Sequence, residues 1–276
     1  MAPARTLRAA CLQVHAGRDR AANMLLAEEL VRRAAADGAT LVVLPEKWTG
    51  YGTDDLLDAL AEDADGGPAA AAMSSWAAAL GITLIGGSIT ERRPGRERYS
   101  NTTLAFGPDG KEIGRYRKIH LFDVDVDGRC YRESDRQEPG GELTSVRAEG
   151  WSIGLSICYD LRFPELYREL SAEGVHAVVV PAAFTATTGE AHWETLVRAR
   201  AIENQAFVLA PNQWGDHGDG VTTYGHSLIV DPWGRVLART GGSGDAVVTA
   251  ELDFEVLERV RATLPSLAHR RLSLHT

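Results

Sequence analysis

A thiol and a carboxylate stand at the ends of separate apolar runs in this sequence and an ammonium follows a further strand, and together such groups can carry out acyl transfer. Cys158 closes the run Trp151 to Ile157, and Phe163-Pro164 opens a helix through Glu173 directly after it. A residue at such a strand-to-helix turn is lifted above the sheet beside free backbone N–H groups, which a nucleophile and its oxyanion both need. Free cysteines are also among the most buried side chains, so the local pattern fits a structural thiol equally well. A nucleophilic thiol requires a base. Glu46 follows Leu44-Pro45 at the end of another apolar run, although a glutamate after a strand is ordinarily a solvated loop residue. Lys118, in Tyr116-Arg-Lys-Ile-His120, is by itself one of several cations in a basic turn. The eight histidines leave a Cys-His pair open, with His192 or His226 as the base. Cys11 and Cys130 lack a comparable setting and read as structural or incidental.

The elements that must position these groups follow from hydrophobic period and punctuation. Leu7 to Val14 reads as a strand, and Asp19 caps a helix over Ala21 to Ala36 that stops at Gly38. Thr40 to Leu44 is a buried-type strand, Pro68 to Leu80 a helix closed by Gly81, and Ile82 to Ile89 one further strand, so the opening is βαβαβ. Turn signals at Pro94-Gly95 and Pro108-Asp-Gly110 frame a hairpin of Tyr99 to Phe106 with Lys111 to Tyr116. Asp123 to Gly141 is an acidic loop without core periodicity. Ala177 to Val180, a helix from Ala191 to Gln205, and Ala206 to Ala210 repeat the strand-helix-strand pattern. Strands at His226 to Val230, Arg235 to Ala238 and Ala246 to Leu252 complete a second, sheet-rich half before a last helix, Phe254 to Arg261. No Pro/Gly/Ser-rich linker and no repeat divides the chain, which predicts one domain over residues 1–276. A dozen strands with four or five long helices exceed one open sheet. The expected class is therefore α/β (α+β layered), a four-layer α-β-β-α sandwich with two packed mixed sheets.

Composition narrows the partners. The 276 residues are 44% hydrophobic, 24% charged and 7% aromatic, a globular balance that excludes disorder and coiled coil as the main architecture. The 29 Lys and Arg against 38 Asp and Glu give a net charge of −9, unsuited to nucleic acid or an anionic membrane. No run reaches the ~18 apolar residues of a membrane span, and Met1 to Val14 lacks a signal-type core. Three scattered cysteines form neither a disulfide framework nor a zinc motif, which favours a reducing, cytoplasmic setting. Gly241-Gly-Ser-Gly244 lacks the phosphate-loop lysine, and Asn101-Thr-Thr103 is a sequon that a cytosolic chain leaves unused. No metal and no cofactor are expected; the partner is a small molecule.

The segments Leu44-Pro-Glu46, Tyr116-Arg-Lys118-Ile-His120-Leu-Phe and Cys158-Tyr-Asp-Leu-Arg162-Phe-Pro-Glu resemble, in order and separation, the nitrilase superfamily of carbon-nitrogen hydrolases. The resemblance continues through Thr188-Gly-Glu-Ala-His192-Trp-Glu194, Arg198-Ala-Arg200-Ala-Ile-Glu203-Asn-Gln, Tyr224-Gly-His226-Ser and Asp231-Pro-Trp-Gly234. It implies that Glu46 is the general base, Lys118 the oxyanion cation and Cys158 the nucleophile, with Glu133 as a second active-site carboxylate. The backbone N–H of Tyr159 would share the oxyanion with Lys118. A thiol of pKa near ~8.5 is a weak nucleophile until a carboxylate takes its proton, and a lysine between carboxylates stays charged.

The residues after the nucleophile resemble the branch that contains ω-amidase and deaminated-glutathione amidase, which implies an amide bearing a carboxylate. Arg162 matches that branch's carboxylate-binding arginine, and Phe184, Thr188 and Tyr51 match further substrate contacts. Planar guanidinium-carboxylate pairing supports Arg162 on physical grounds, against a structural ion pair with Asp160 or Glu165. Lys47-Trp-Thr-Gly-Tyr51-Gly52 is one residue shorter than the ω-amidase pattern, which makes the pocket wall beside Glu46 the point of departure. The alternatives are a carbamoyl-amide or aliphatic-amide hydrolase of the same superfamily and a catalytically silent binding protein. In the helix over His192 to Gln205, Glu194 and Arg198 are spaced to pair, and the resemblance implies charge networks near a dimer interface, in a homodimer or higher homo-oligomer.

Overall fold

The computed structural model describes residues 3–52, 54–126 and 128–272. The chain opens with β1 (Thr6–Gln13), α1 (Arg20–Ala36) and β2 (Leu41–Val43), then adds α2 (Asp54–Leu60) and α3 (Pro68–Leu80). Strands β3 (Thr83–Ile85), β4 (Ile89–Glu91), β5 (Ser100–Phe106) and β6 (Glu112–Arg117) follow, and then the hairpin β7 (Asp123–Val126) and β8 (Arg129–Arg132). The second half runs β9 (Ser145–Ala148), β10 (Trp151–Leu155), α4 (Pro164–Ala172), β11 (Ala177–Val179), α5 (Ala186–Asn204) and β12 (Phe207–Ala210). It ends with the pair β13 (Trp214–Asp216) and β14 (Thr222–Tyr224), then β15 (Leu228–Val230), β16 (Val236–Arg239), β17 (Ala246–Asp253) and α6 (Phe254–Thr263).

Two mixed sheets result, in the order β17-β1-β2-β3-β5-β4, with β6 beside β5, and β16-β15-β12-β11-β10-β9. Alternation along each strand builds the four layers. From the first sheet, Leu7, Ala9, Cys11, Leu41 and Val43 pack against Ile153, Leu155 and Val179 of the second. Their neighbours Ala10, Leu12, Val42 and Leu44 face outward onto Leu30, Val31, Met73 and Trp76 of α1 and α3. On the far side, Tyr167 and Leu170 of α4 and Trp193 and Val197 of α5 cover the second sheet. The expected layered sandwich is the observed one. Among the described residues, no helix is long and apolar enough to cross a membrane.

Four expectations need correction. The run Ile82 to Ile89 is two strands, because Gly86-Gly87 turns the chain between them and Gly87 adopts φ +58. The run Ala246 to Leu252 belongs to the first sheet, where β17 pairs antiparallel with β1 over all eight residues. Residues 123–141 are not featureless, since β7 and β8 pair there and a 3-10 turn, Glu133–Asp135, follows. Helix α5 starts at Ala186 rather than Ala191, while α2 and β9 carried too little periodicity to be anticipated.

Candidate active site

The buried strand β2 delivers Glu46 to the sheet edge. Gly87 lets the chain return close by: a Cβ there would stand 2.0 Å from Pro45 O, at a positive φ that disfavours side chains. The Glu46 carboxylate is almost wholly buried and fully used. Its Oε1 accepts from Asn101 Nδ2 at 2.8 Å and Lys118 Nζ at 3.2 Å, and its Oε2 accepts the Ala183 N–H at 2.9 Å.

Lys118 follows β6 and is only 2% exposed. Its ammonium lies between two carboxylates, donating also to Glu133 Oε2 at 2.7 Å. Burial alone would lower the Lys118 pKa, but Glu133 and Glu46 outweigh it and hold the ammonium well above its ordinary range. Glu133, also buried, accepts the Phe122 N–H at 2.8 Å through Oε2, and Lys47 Nζ at 3.1 Å through Oε1. Against the cost of burial, Lys118 and Lys47 keep this carboxylate well below the usual glutamate range.

Cys158 stands at the first residue of a 3-10 turn, Cys158–Arg162, with φ 46, so the chain bends sharply at the thiol. Its own N–H donates to Pro181 O at 2.9 Å, tying the bend to the segment after β11. Asp160, wholly buried, fixes the bend from inside. Its Oδ2 accepts the Ile157 N–H at 2.8 Å and the Tyr116 hydroxyl at 2.7 Å, while Oδ1 accepts the His120 N–H at 3.0 Å and lies 2.8 Å from His120 Nδ1. The same carboxylate thus grips the thiol turn and both flanks of Lys118. Burial first, and then the neighbouring Glu46, raise the Cys158 thiol well above its ordinary pKa. The resting group is therefore a neutral thiol. Such an arrangement can pass a proton from sulfur to carboxylate during attack, with a fixed cation for the oxyanion. The Tyr159 N–H, in the first turn, has no acceptor among the described backbone groups.

These groups line one cavity of about 740 Å³. Arg162, Phe184, Thr188 and Tyr51 line it too, so the structure brings all nine sequence-selected positions to one wall system. Arg162 is half-buried between the rings of Tyr159 and Phe184, with its Cζ 5.9 and 5.0 Å from their centroids. Its Nη1 lies 3.3 Å from His192 Nδ1, and among the described residues it has no ion-paired carboxylate. Asp160, the partner considered for it, is occupied elsewhere, and Glu165 forms no bridge to it. The Tyr51 phenol, on the wall of the same cavity, is raised well above its ordinary pKa by burial and then by Glu46 and Cys158. Its ring packs edge-on against His217 at 4.6 Å. The Thr188 hydroxyl pairs with Thr185 at 2.7 Å. Neither His192 nor His226 lines the cavity, which removes the structural basis of a Cys-His pair. Among the described residues, no three His, Cys, Asp or Glu side chains are grouped to hold a metal ion.

Sequence reasoning missed Asn101, Lys47 and Asp160. Asn101 read only as a sequon, and Asp160 only as an ion-pair candidate. Cys130, read as incidental, is an exposed thiol on the rim of the same cavity.

Residues 8–262 match the carbon-nitrogen hydrolase family model. Among similar proteins, omega-amidase NIT2 of Danio rerio is 39% identical over 98% of this chain and 96% of its own length. The deaminated glutathione amidase of Synechocystis is 40% identical over 95% of this chain and 97% of its own. The crystal structure of Saccharomyces cerevisiae Nit3, a member of branch 10 of the nitrilase superfamily, superposes with a TM-score of 0.89 at 32% identity, covering 98% of each chain.

Proposed function

The chain belongs to the carbon-nitrogen hydrolase family and is an amide-hydrolysing enzyme, and from that premise we propose that it cleaves a small carboxylate-bearing amide through a thioester on Cys158. The observation that carries the reading is the buried constellation itself, Cys158 and Glu46 on the wall of one cavity with Lys118 held between Glu46 and Glu133. As sulfur attacks the amide carbon, Glu46 takes the thiol proton, and the oxyanion is held by Lys118 and the Tyr159 N–H. Collapse breaks the C–N bond, and Glu46 returns the proton to the departing ammonia or amine. Glu46 then deprotonates a water, which attacks the thioester; the acid leaves and the thiol is restored.

Arg162 supplies the substrate class. A half-buried guanidinium without a carboxylate partner among the described residues, lining the same cavity as the thiol, suits a carboxylate at the far end of the amide. The candidates are an ω-amide of a dicarboxylate and deaminated glutathione, in keeping with the relatives named omega-amidase and deaminated glutathione amidase. Ammonia or amine release, measured on ω-amides, deaminated glutathione, neutral amides, nitriles and carbamoyl compounds, tests this. A preference for nitriles or carbamoyl compounds would overturn it.

The chain is read as one such domain, working as a homodimer in a reducing cytoplasm. Three free thiols support the compartment. For the dimer, Arg198 and Glu194 staple α5 to Gly234 O and Arg239, while Ile202, Trp233 and Leu237 stay exposed around this junction.

A further inference from the structure

Lys47 directly follows the proposed base, and its backbone is left-handed, φ 53, without being glycine. That conformation is more costly for a lysine than for glycine or asparagine. Here it is held from both sides: the Lys47 N–H donates to Ser88 Oγ at 3.1 Å, and its carbonyl accepts from Gln213 Nε2 at 3.1 Å and the Gly50 N–H at 3.2 Å. If only the turn were needed, glycine would serve with less strain, so the side chain is where a function should be sought.

The side chain is 16% exposed, lines the cavity and reaches Glu133 Oε1 at 3.1 Å. Glu133 uses its other oxygen for Lys118 at 2.7 Å. Resting on the reading of Cys158, Glu46 and Lys118 given above, we propose that Lys47 is a positioning residue for amide hydrolysis: its ammonium fixes one oxygen of Glu133 so that the other aims Lys118 at the oxyanion. The carboxylate thereby has a cation on each oxygen. Without Lys47, only Lys118 and the Phe122 N–H restrain it, both on the same oxygen, and the carboxylate is free to pivot. Lys47 acts through Glu133 and not on the substrate, so its effect belongs to the chemical step.

The test compares Lys47→Met, Lys47→Arg, Glu133→Gln and the double variant Lys47→Met/Glu133→Gln in steady-state kinetics on one acidic amide, with thermal unfolding as the folding control. Lys47→Met should lower kcat about ten- to a hundredfold, the range known for outer-shell partners of metal ligands, with KM within about twofold. Lys47→Arg should restore most of kcat, because a guanidinium can make the same contact. The double variant should be no slower than Glu133→Gln alone, since the two act as one unit. A wild-type kcat in Lys47→Met, a loss confined to KM, or additive losses in the double variant would overturn the proposal. Lys118→Met run alongside separates the two levels. If it is inactive while Lys47→Met is normal, only the role of Lys47 falls; if it is active, the underlying reading falls and takes Lys47 with it.

Discussion

Arg162→Met should divide substrates by charge. In the structure the guanidinium is stacked between Tyr159 and Phe184 and has no ion-paired carboxylate among the described residues, so removing it leaves none of these as a buried unpaired anion. The loss is then the substrate interaction alone. A charged hydrogen-bonded contact is worth roughly 1.5–3 kcal/mol, and the half-exposed position of Arg162 puts the expected value at the lower end. At about 1.4 kcal/mol per decade, kcat/KM for succinamate or α-ketoglutaramate should fall about tenfold. A neutral amide of similar length should lose less than about twofold, because attack on it still depends on Cys158, Glu46 and Lys118. Methionine keeps the stem length and an apolar contact with both rings, so packing changes little. The assay is ammonia release at several concentrations of one acidic and one neutral amide, on wild type and variant. An equal drop on both would show that Arg162 holds the wall together and does not read charge.

Glu133→Gln should lose about 3 kcal/mol of stability at pH 7, because Lys47 loses its buried counter-charge and Lys118 keeps only Glu46. The Glu133 pKa is depressed in the folded state, so this stabilisation is present above the ordinary glutamate pKa and fades as pH falls toward the folded value. The gap in Tm between wild type and variant should therefore narrow from about pH 5 downward, and a gap that widens refutes the linkage. Gly87→Ala should cost about 1–3 kcal/mol and lower kcat, since its Cβ would collide with Pro45 O behind Glu46; unchanged calorimetry and kinetics would count against that approach. Trp233→Ser should weaken self-association in analytical ultracentrifugation while turnover persists, and an unaffected dimer would move the interface elsewhere.

Elements with strong local signals were legible in the sequence. Asp19 accepts from the N–H groups of Ala21 and Ala22 at the start of α1, and Gly81 ends α3 in the left-handed conformation. What local pattern cannot carry is which distant segments meet. The strand β17 alternates like any other, yet its partner is β1, more than two hundred residues earlier. Lys47 and Glu133 are 86 positions apart, and Asn101 and Glu46 are 55 apart. Their charges and amides look solvated until the sheets bring them together. Glu46 and Cys158 each end an apolar run, but they and Lys118, after a largely polar strand, stood out only through their joint order and separation. Asp160 did not, because three of the four hydrogen bonds to its carboxylate come from Tyr116 and His120 and depend on where that distant segment packs.

The central claim is a covalent thioester on Cys158, and rapid-quench mass spectrometry of the enzyme mixed with an acidic ω-amide tests it most directly. The account predicts an acyl adduct, the substrate less ammonia, on the peptide that contains Cys158, forming before steady state and absent from Cys158→Ala, which should release no ammonia. Cys130→Ala should behave like wild type in both respects, although its thiol is the exposed one. An adduct on Cys130, or ammonia release by Cys158→Ala at the wild-type rate, would contradict the account.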